Sequence, residues 1–428
     1  MKVMLVAPPY DRDCCSDPNK GPYSHTLLPS FGLGYIAAVL IKDGYDVELI
    51  ESPLQKLDIK HLKKIILESM PDIIGLTCST YTFSNAVKIA KIAKESIPEI
   101  KTIIGGPHVA FNIENTLMTD VIDFVIVGEG EKVVKNLLNN IENYHDVKGI
   151  AFKKGSEIIT NPREEFIKDL DILPFPAWHL LPKNVMKSMG GAIITSRGCP
   201  FGCIFCASTA FWGSKTRQRS SENVLKELKI LIDRYDFKKI DFLDDTFSID
   251  KNRVIEICNG IINSNLDFEW SCNARVDTLD EETLKKMKNA NCKEIFFGIE
   301  SGSQKILDIC KKGITISQIK KTVNLANQLG FKVILSFVIG LPGECKETIE
   351  ETKKLLKEID GDEILLNPLI PLPGTDLYNN PGKYGIRFLN KDWKDYVQFL
   401  VETEKMSVKD LKDAFFELVD IVSEKVNE

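Results

Sequence analysis

No run of 18 apolar residues interrupts this 428-residue chain, and no basic, apolar leader opens it. The sequence therefore offers no transmembrane segment, and the expected location is the cytoplasm. Positive charge is not in excess: 55 Lys and Arg against 61 Asp and Glu leave a net charge of −6. That balance argues against nucleic acid or an anionic membrane surface as partner. The eleven cysteines are neither evenly paired nor spaced as a disulfide framework, so a small secreted scaffold is excluded and a reducing compartment expected. Apolar content of 43% and charged content of 27% are ordinary for a globular protein, and the length suits two or three domains.

What the cysteines do show is concentration. The stretch Ser196-Arg197-Gly198-Cys199-Pro200-Phe201-Gly202-Cys203-Ile204-Phe205-Cys206 puts three within eight residues, spaced C-x3-C-x2-C, directly after an apolar run. Thiolates are soft ligands that select iron–sulfur clusters, zinc or Cu(I). A [4Fe-4S] cluster has four irons, normally held by four cysteines, so three local thiols leave one iron for another ligand. A zinc knuckle is the competing reading, but it needs a fourth Cys or His, and the nearest, His179 and Cys258, are unpaired in sequence. The remaining cysteines (Cys14, Cys15, Cys78, Cys258, Cys272, Cys292, Cys310, Cys345) are scattered and read as buried free thiols, apart from Cys14 and Cys15 in a polar loop.

Residues 1–145 alternate short apolar runs with amphipathic stretches. Strands are expected at Lys2–Ala7, Asp46–Glu51, Ile73–Thr77, Thr102–Gly105 and Phe124–Val127. Strands alternating with helices make βαβ units and a parallel sheet covered on both faces, here an α/β, flavodoxin-like doubly wound domain. Ligands of such sheets bind at the carboxyl ends of the strands. Those ends read Pro8-Pro9, Thr77-Cys78-Ser79-Thr80-Tyr81, Gly105-Gly106-Pro107-His108 and Gly128-Glu129-Gly130-Glu131. Small residues there let a bulky planar ligand approach the backbone.

Residues 146–190, with four prolines, are expected to be a linker. Residues 191–375 show six further strand candidates: Ala192–Thr195, Lys239–Leu243, Glu269–Asn273, Glu294–Gly298, Lys332–Ile339 and Glu363–Asn367. Six βα units suit a partial (β/α)6 barrel with functional residues at its C-terminal mouth. The strand ends there carry Asp244-Asp245, Arg275, Glu300 and Gly340-Leu341-Pro342-Gly343-Glu344. Asp244 and Asp245 read equally well as a helix N-terminal cap. Residues 376–428 are expected to be a helical extension, ending in an amphipathic helix over 408–426 that covers the open side of the barrel.

Taken together, these motifs resemble the cobalamin-binding radical SAM family, with its methyltransferase-like members. The three-cysteine loop resembles the one that leaves an iron for S-adenosylmethionine (SAM). The strand ends of the first third resemble the cobalamin-binding domain placed before many radical SAM domains. The resemblance implies Cys199, Cys203 and Cys206 as ligands of a [4Fe-4S] cluster, with Phe205 as the usual aromatic before the last cysteine. It implies a SAM site lined by Arg275, Glu300, Ser336 and Gly340. It implies cobalamin against Pro8, Thr77, Ser79, Thr80, Tyr81, Gly105, Gly106, Pro107, His108, Gly128, Glu129 and Gly130. None of the five histidines has Asp two residues before it, so the Asp-x-His-x-x-Gly cobalt ligand of other cobalamin domains is missing and base-off binding is expected. The implied activity is transfer of a methyl group from SAM through methylcobalamin to an unactivated carbon. The alternatives are a cobalamin-binding cyclase or ring-rearranging oxidoreductase, and a non-catalytic cobalamin or redox sensor. An external electron donor such as ferredoxin or flavodoxin is implied, while the substrate (small molecule, lipid or peptide) is not.

Overall fold

The computed structural model describes residues 1–10, 28–182, 190–389 and 398–427. Cys14, Cys15 and His25 lie outside them. The chain forms two compact units, 1–189 and 190–428.

In the first unit, β1 (Lys2–Ala7), β2 (Asp46–Glu51), β3 (Ile73–Thr77), β4 (Lys101–Gly105) and β5 (Phe124–Ile126) pair in parallel, in the order β2-β1-β3-β4-β5. β1 runs Val3 to Ala7 without an exposed residue, as a central parallel strand covered on both faces must. Helices such as Phe83–Ser96 supply the cover, burying Ala86, Ile89, Ala90 and Ala93 against Ile74, Leu76 and Ile104. The helix Ile59–Ser69 starts at Asp58, which accepts from the Lys60 and His61 amides and completes a capping box with His61.

The segment expected as a linker differs from that expectation. β6 (Ile150–Lys154) and β7 (Glu157–Thr160) extend the same sheet antiparallel beyond β5. The two-residue Gly155-Ser156 turn between them is a hairpin signal, with Gly155 at φ +63°. Residues 161–182 belong to the first unit, where Trp178 meets the ring of Phe31 edge-on at 5.6 Å.

The second unit is built on a six-stranded, all-parallel sheet. Its strands are β8 (Gly191–Ile193), then β11 (Lys239–Phe242), β12 (Glu269–Ala274), β13 (Cys292–Glu300), β14 (Lys332–Ile339) and β15 (Glu363–Pro368), in the spatial order β15-β14-β13-β12-β11-β8. A small antiparallel pair, β9 (Ser196–Arg197) and β10 (Arg217–Gln218), flanks the cysteine loop. Alternation along β12 buries Trp270, Cys272 and Ala274 on one face. The connecting helices begin on side-chain caps: Asp250 on Arg253, Asp280 on Thr283, and a Thr315/Gln318 capping box.

The C-terminal extension is not wholly helical. Between its short first helix and its long last one stand β16 (Ile386–Phe388) and β17 (Val401–Thr403), paired antiparallel. The helix Val408–Asn427 packs on the edge strand β15 and on the helix Lys346–Glu358, burying Leu411, Ala414 and Leu418. An edge strand exposes unpaired backbone groups, and this cover shields them.

Candidate functional site

In each unit the residues singled out by sequence sit along the carboxyl edge of the parallel sheet.

In the first unit, adjacent strands bring Pro8, Thr77–Tyr81, Gly105–His108 and Gly128–Gly130 side by side. Asn85 donates to the Pro9 carbonyl at 2.9 Å, and the Ser79 amide donates to Thr82 Oγ1 at 3.0 Å, which shapes the turn ahead of the helix. His108 is buried, with Nδ1 3.2 Å from Thr80 Oγ1 and its ring centroid 4.7 Å from that of Phe83. Burial pushes its pKa down to about 4, so the imidazole is neutral. Gly106 has φ +119°, and a Cβ there would stand 2.3 Å from the Cys78 carbonyl oxygen, so only glycine fits. Gly128, at φ +110°, has Arg163 Nε against it. Pro107 opens the short helix Pro107–Ala110, Gly130 opens the helix Gly130–Asn139, and the carboxylate of Glu129 accepts from the Ile167 amide at 2.7 Å. Arg163 and Ile167 come from the segment expected to be a linker, which is why sequence reasoning missed them.

In the second unit, Cys199, Cys203 and Cys206 lie on the loop between β9 and the helix Ala207–Trp212, with Cys206 at that helix's N-cap. Several bonds fix this loop. Asp244, buried at the end of β11, accepts from the Thr195 amide at 2.6 Å, from the Ser196 amide at 2.9 Å and from the Thr195 hydroxyl. Asp245 accepts from Ser208 Oγ at 2.5 Å. Neither aspartate caps the following helix, since Asp250 does that; they tie the cysteine loop to the sheet. Ile204 N donates to the Cys310 carbonyl at 3.2 Å, and Leu377 N to the Ile204 carbonyl at 3.0 Å. Gly198 has φ +91°, and a Cβ there would meet the Lys215 carbonyl at 2.6 Å. Phe205 packs on a cluster that includes Ile306, Leu341 and Leu369.

Arg275 and Glu300 belong to one buried network. Arg275 forms a two-pronged pair with Asp277, both distances 2.9 Å, and donates through Nη2 to the Lys312 carbonyl at 2.7 Å. Its guanidinium lies 3.6 Å from the ring centroid of Phe201, inside the cysteine loop. Glu300 Oε1 accepts from Lys312 Nζ at 2.7 Å. Ser336, one strand over, accepts from Asn367 at 3.3 Å. Gly340, at φ +99°, donates its amide to the buried carboxylate of Glu344 at 2.6 Å. Burial pushes Glu344 up to about 8. Sequence reasoning missed Asp277, Lys312 and Phe201. Asp277 stands two residues beyond Arg275, a readable signal, but Lys312 looks like any surface lysine after a helix.

The donor set suits an iron–sulfur cluster. Burial pushes the Cys203 thiol up, the cations of Lys312 and Arg275 pull it back, and Glu300 and Cys199 oppose them. Burial likewise raises Cys206, to about 11, so an iron must displace its proton. Among the described residues no three His, Cys, Asp or Glu side chains are grouped around one ion position. A cube does not require such a group, because each thiolate goes to a different iron.

Known proteins align with both units. The chain matches the radical SAM superfamily over residues 193–356 and the B12-binding domain over residues 24–138. It is 36% identical over 406 residues to an uncharacterized methyltransferase of Pyrococcus horikoshii, covering 92% of this chain and 86% of that one. It is 30% identical over 398 residues to the anaerobic magnesium-protoporphyrin IX monomethyl ester cyclase of Rubrivivax gelatinosus, covering 89% and 70%. Among solved structures it resembles the radical SAM methyltransferase TsrM of Kitasatospora setae, determined with cobalamin and a [4Fe-4S] cluster bound. The TM-score is 0.74 at 17% identity, over 90% of this chain and 76% of that one, a likeness of fold. On the strength of its two matched domains and a relative aligned along nearly its whole length, this chain belongs to the cobalamin-binding radical SAM family, among its methyltransferase-like members.

Proposed function

We propose that this protein transfers a methyl group from SAM, by way of cobalamin, to an unactivated carbon of a small-molecule, lipid or peptide substrate. The reading rests on one observation: a three-thiol loop packs, through Phe201, against the buried network that joins Arg275 to Lys312 and Glu300. An inert C–H carbon is no nucleophile, so direct polar transfer from a sulfonium fails and cofactors must carry the chemistry. When bound, the [4Fe-4S] cluster supplies one-electron cleavage of SAM and cobalamin supplies a transferable methyl group.

The residues have separate tasks. Cys199, Cys203 and Cys206 hold the cluster, on a loop that Asp244 keeps in place from below. Arg275 and Glu300, with Ser336 and Gly340, orient SAM. In the first unit, Pro8, Thr77, Ser79, Thr80, Tyr81, Gly105, Gly106, Pro107, His108, Gly128, Glu129 and Gly130 face cobalamin, bound base-off. His108 is taken as a contact and not as a cobalt ligand, because the chain lacks the Asp-x-His-x-x-Gly arrangement; its buried ring holds Nδ1 3.2 Å from Thr80 Oγ1. The electron comes from an external ferredoxin or flavodoxin in the cytoplasm.

A cyclase of the cobalamin-binding type is the second reading, favoured by the 30% identity to the Rubrivivax enzyme. One experiment separates them without the substrate. The holoprotein, its cobalamin reduced, is given SAM labelled in the methyl carbon. Methyl transfer predicts label on the cobalamin and S-adenosylhomocysteine in equal amount. A cyclase predicts neither, while still cleaving SAM to 5′-deoxyadenosine under reduction.

A further inference from the structure

Glu300 is held in an unusual way. It ends β13 at φ +70°, a region non-glycine residues avoid, and the pairing with β14 slips between Gly298 and Glu300. Such strain persists where surroundings over-determine it and gathers at functional positions. What fixes Glu300 is Lys312, whose ammonium sits 2.7 Å from Oε1; the two residues are 7% and 8% exposed. A buried ion pair is a poor stabiliser, because desolvation of both charges offsets their attraction. Stability therefore does not explain why this pair is here.

Its position offers an explanation. Lys312 lies on the turn after the helix Gln304–Ile309, with its amide bonded to the Leu307 carbonyl at 2.9 Å. That turn is tied to the cysteine loop twice. Cys310 O accepts from Ile204 N, next to Cys203, and Lys312 O accepts from Arg275, which covers Phe201. The charge of Arg275 is already met by the two oxygens of Asp277. Lys312 is met by one oxygen of Glu300.

We propose that Lys312 is a positioning residue that holds Glu300 and the cysteine loop in register, and that the Lys312–Glu300 pair sets how readily a cluster on Cys203 accepts an electron. The inference rests on the reading that this loop carries a [4Fe-4S] cluster. Reduction adds one negative charge without forming or breaking a bond. A nearby ammonium favours the reduced state and a nearby carboxylate opposes it, and charge beside a cluster is one determinant of its potential. The two substitutions of the pair should therefore act in opposite directions, which no packing defect would do.

The test reads the cluster itself. Wild type, Lys312→Met, Lys312→Arg and Glu300→Gln are reconstituted anaerobically and assayed for iron. Each is then poised with titanium(III) citrate, the one-electron donor, without SAM, and the reduced cluster is counted by EPR. The expected result is a reduced-to-oxidised ratio about tenfold lower in Lys312→Met, equivalent to about 59 mV, and higher than wild type in Glu300→Gln. Lys312→Arg, which keeps the charge, should stay near wild type. Unchanged ratios, or shifts of both variants in the same direction, overturn the proposal. If Lys312→Met holds no cluster, the sign of the Glu300→Gln shift decides alone. Absence of iron from the wild type would instead overturn the cluster reading, so the two failures are distinct.

Discussion

Replacing Asp244 by Ala should cost this protein its cluster and a measurable part of its stability. The side chain is 1% exposed and accepts three hydrogen bonds, from the amides of Thr195 and Ser196 and from the Thr195 hydroxyl. All three donors stand just before the cysteine loop. Alanine leaves them buried and unpaired, at about 1–3 kcal/mol each, or roughly 3–6 kcal/mol after some relaxation. A unit of this size shifts its melting point by roughly 2–4 °C per kcal/mol, so a fall of roughly 6–24 °C is expected. Asn is the control. Its carboxamide oxygen still receives both amides, while its NH2 group meets the Thr195 hydroxyl, which turns to accept, so the loss should be only about 1 kcal/mol. Calorimetry and iron per chain after anaerobic reconstitution are the assays. If Asp244→Ala kept full iron and melted within about 2 °C of wild type, Asp244 would not be what holds the loop.

Other outcomes follow from the same contacts. Glu344 is raised to about 8 by burial, so the folded state keeps a proton that the unfolded state releases above its ordinary value of 4.5. Its stabilising contribution is present below pH 4.5 and is lost as pH rises toward 8, at about 1.4 kcal/mol per unit; Glu344→Gln should flatten that slope in melting curves from pH 5.5 to 7.5. Gly106→Ala places a Cβ 2.3 Å from the Cys78 carbonyl oxygen at φ +119°, and should lose cobalamin binding by absorbance titration while keeping iron. Among the described cysteines, Cys199, Cys203 and Cys206 are half-buried, whereas Cys78, Cys258, Cys272, Cys292, Cys310 and Cys345 are buried, so before reconstitution with iron the first three are the accessible thiols. Iodoacetamide followed by peptide mass mapping should mark the first three well before these six.

The sequence by itself determined what depends on local pattern. Apolar alternation and helical period placed eleven parallel strands, because a strand or helix face records its burial every second or every third to fourth residue. The C-x3-C-x2-C loop was legible for the same reason: its ligands are neighbours in the chain. The hairpin Ile150–Lys154 and Glu157–Thr160 had its own local signal in Gly155-Ser156, outweighed by the prolines around it. β16 and β17 had none, since residues 389–400 separate them and no tight turn announces the pairing. Only the tertiary structure decided how the chosen residues are used. Asp244 is 49 residues from its Thr195 partner, Arg275 is 37 from the Lys312 carbonyl, and Lys312 is 12 from Glu300. Such partners are selected by which strand ends the sheet order sets side by side. A carboxylate that reads as a helix cap in the chain thus becomes, in the fold, the anchor of a cysteine loop, and a lysine with no motif becomes the partner of a strained glutamate.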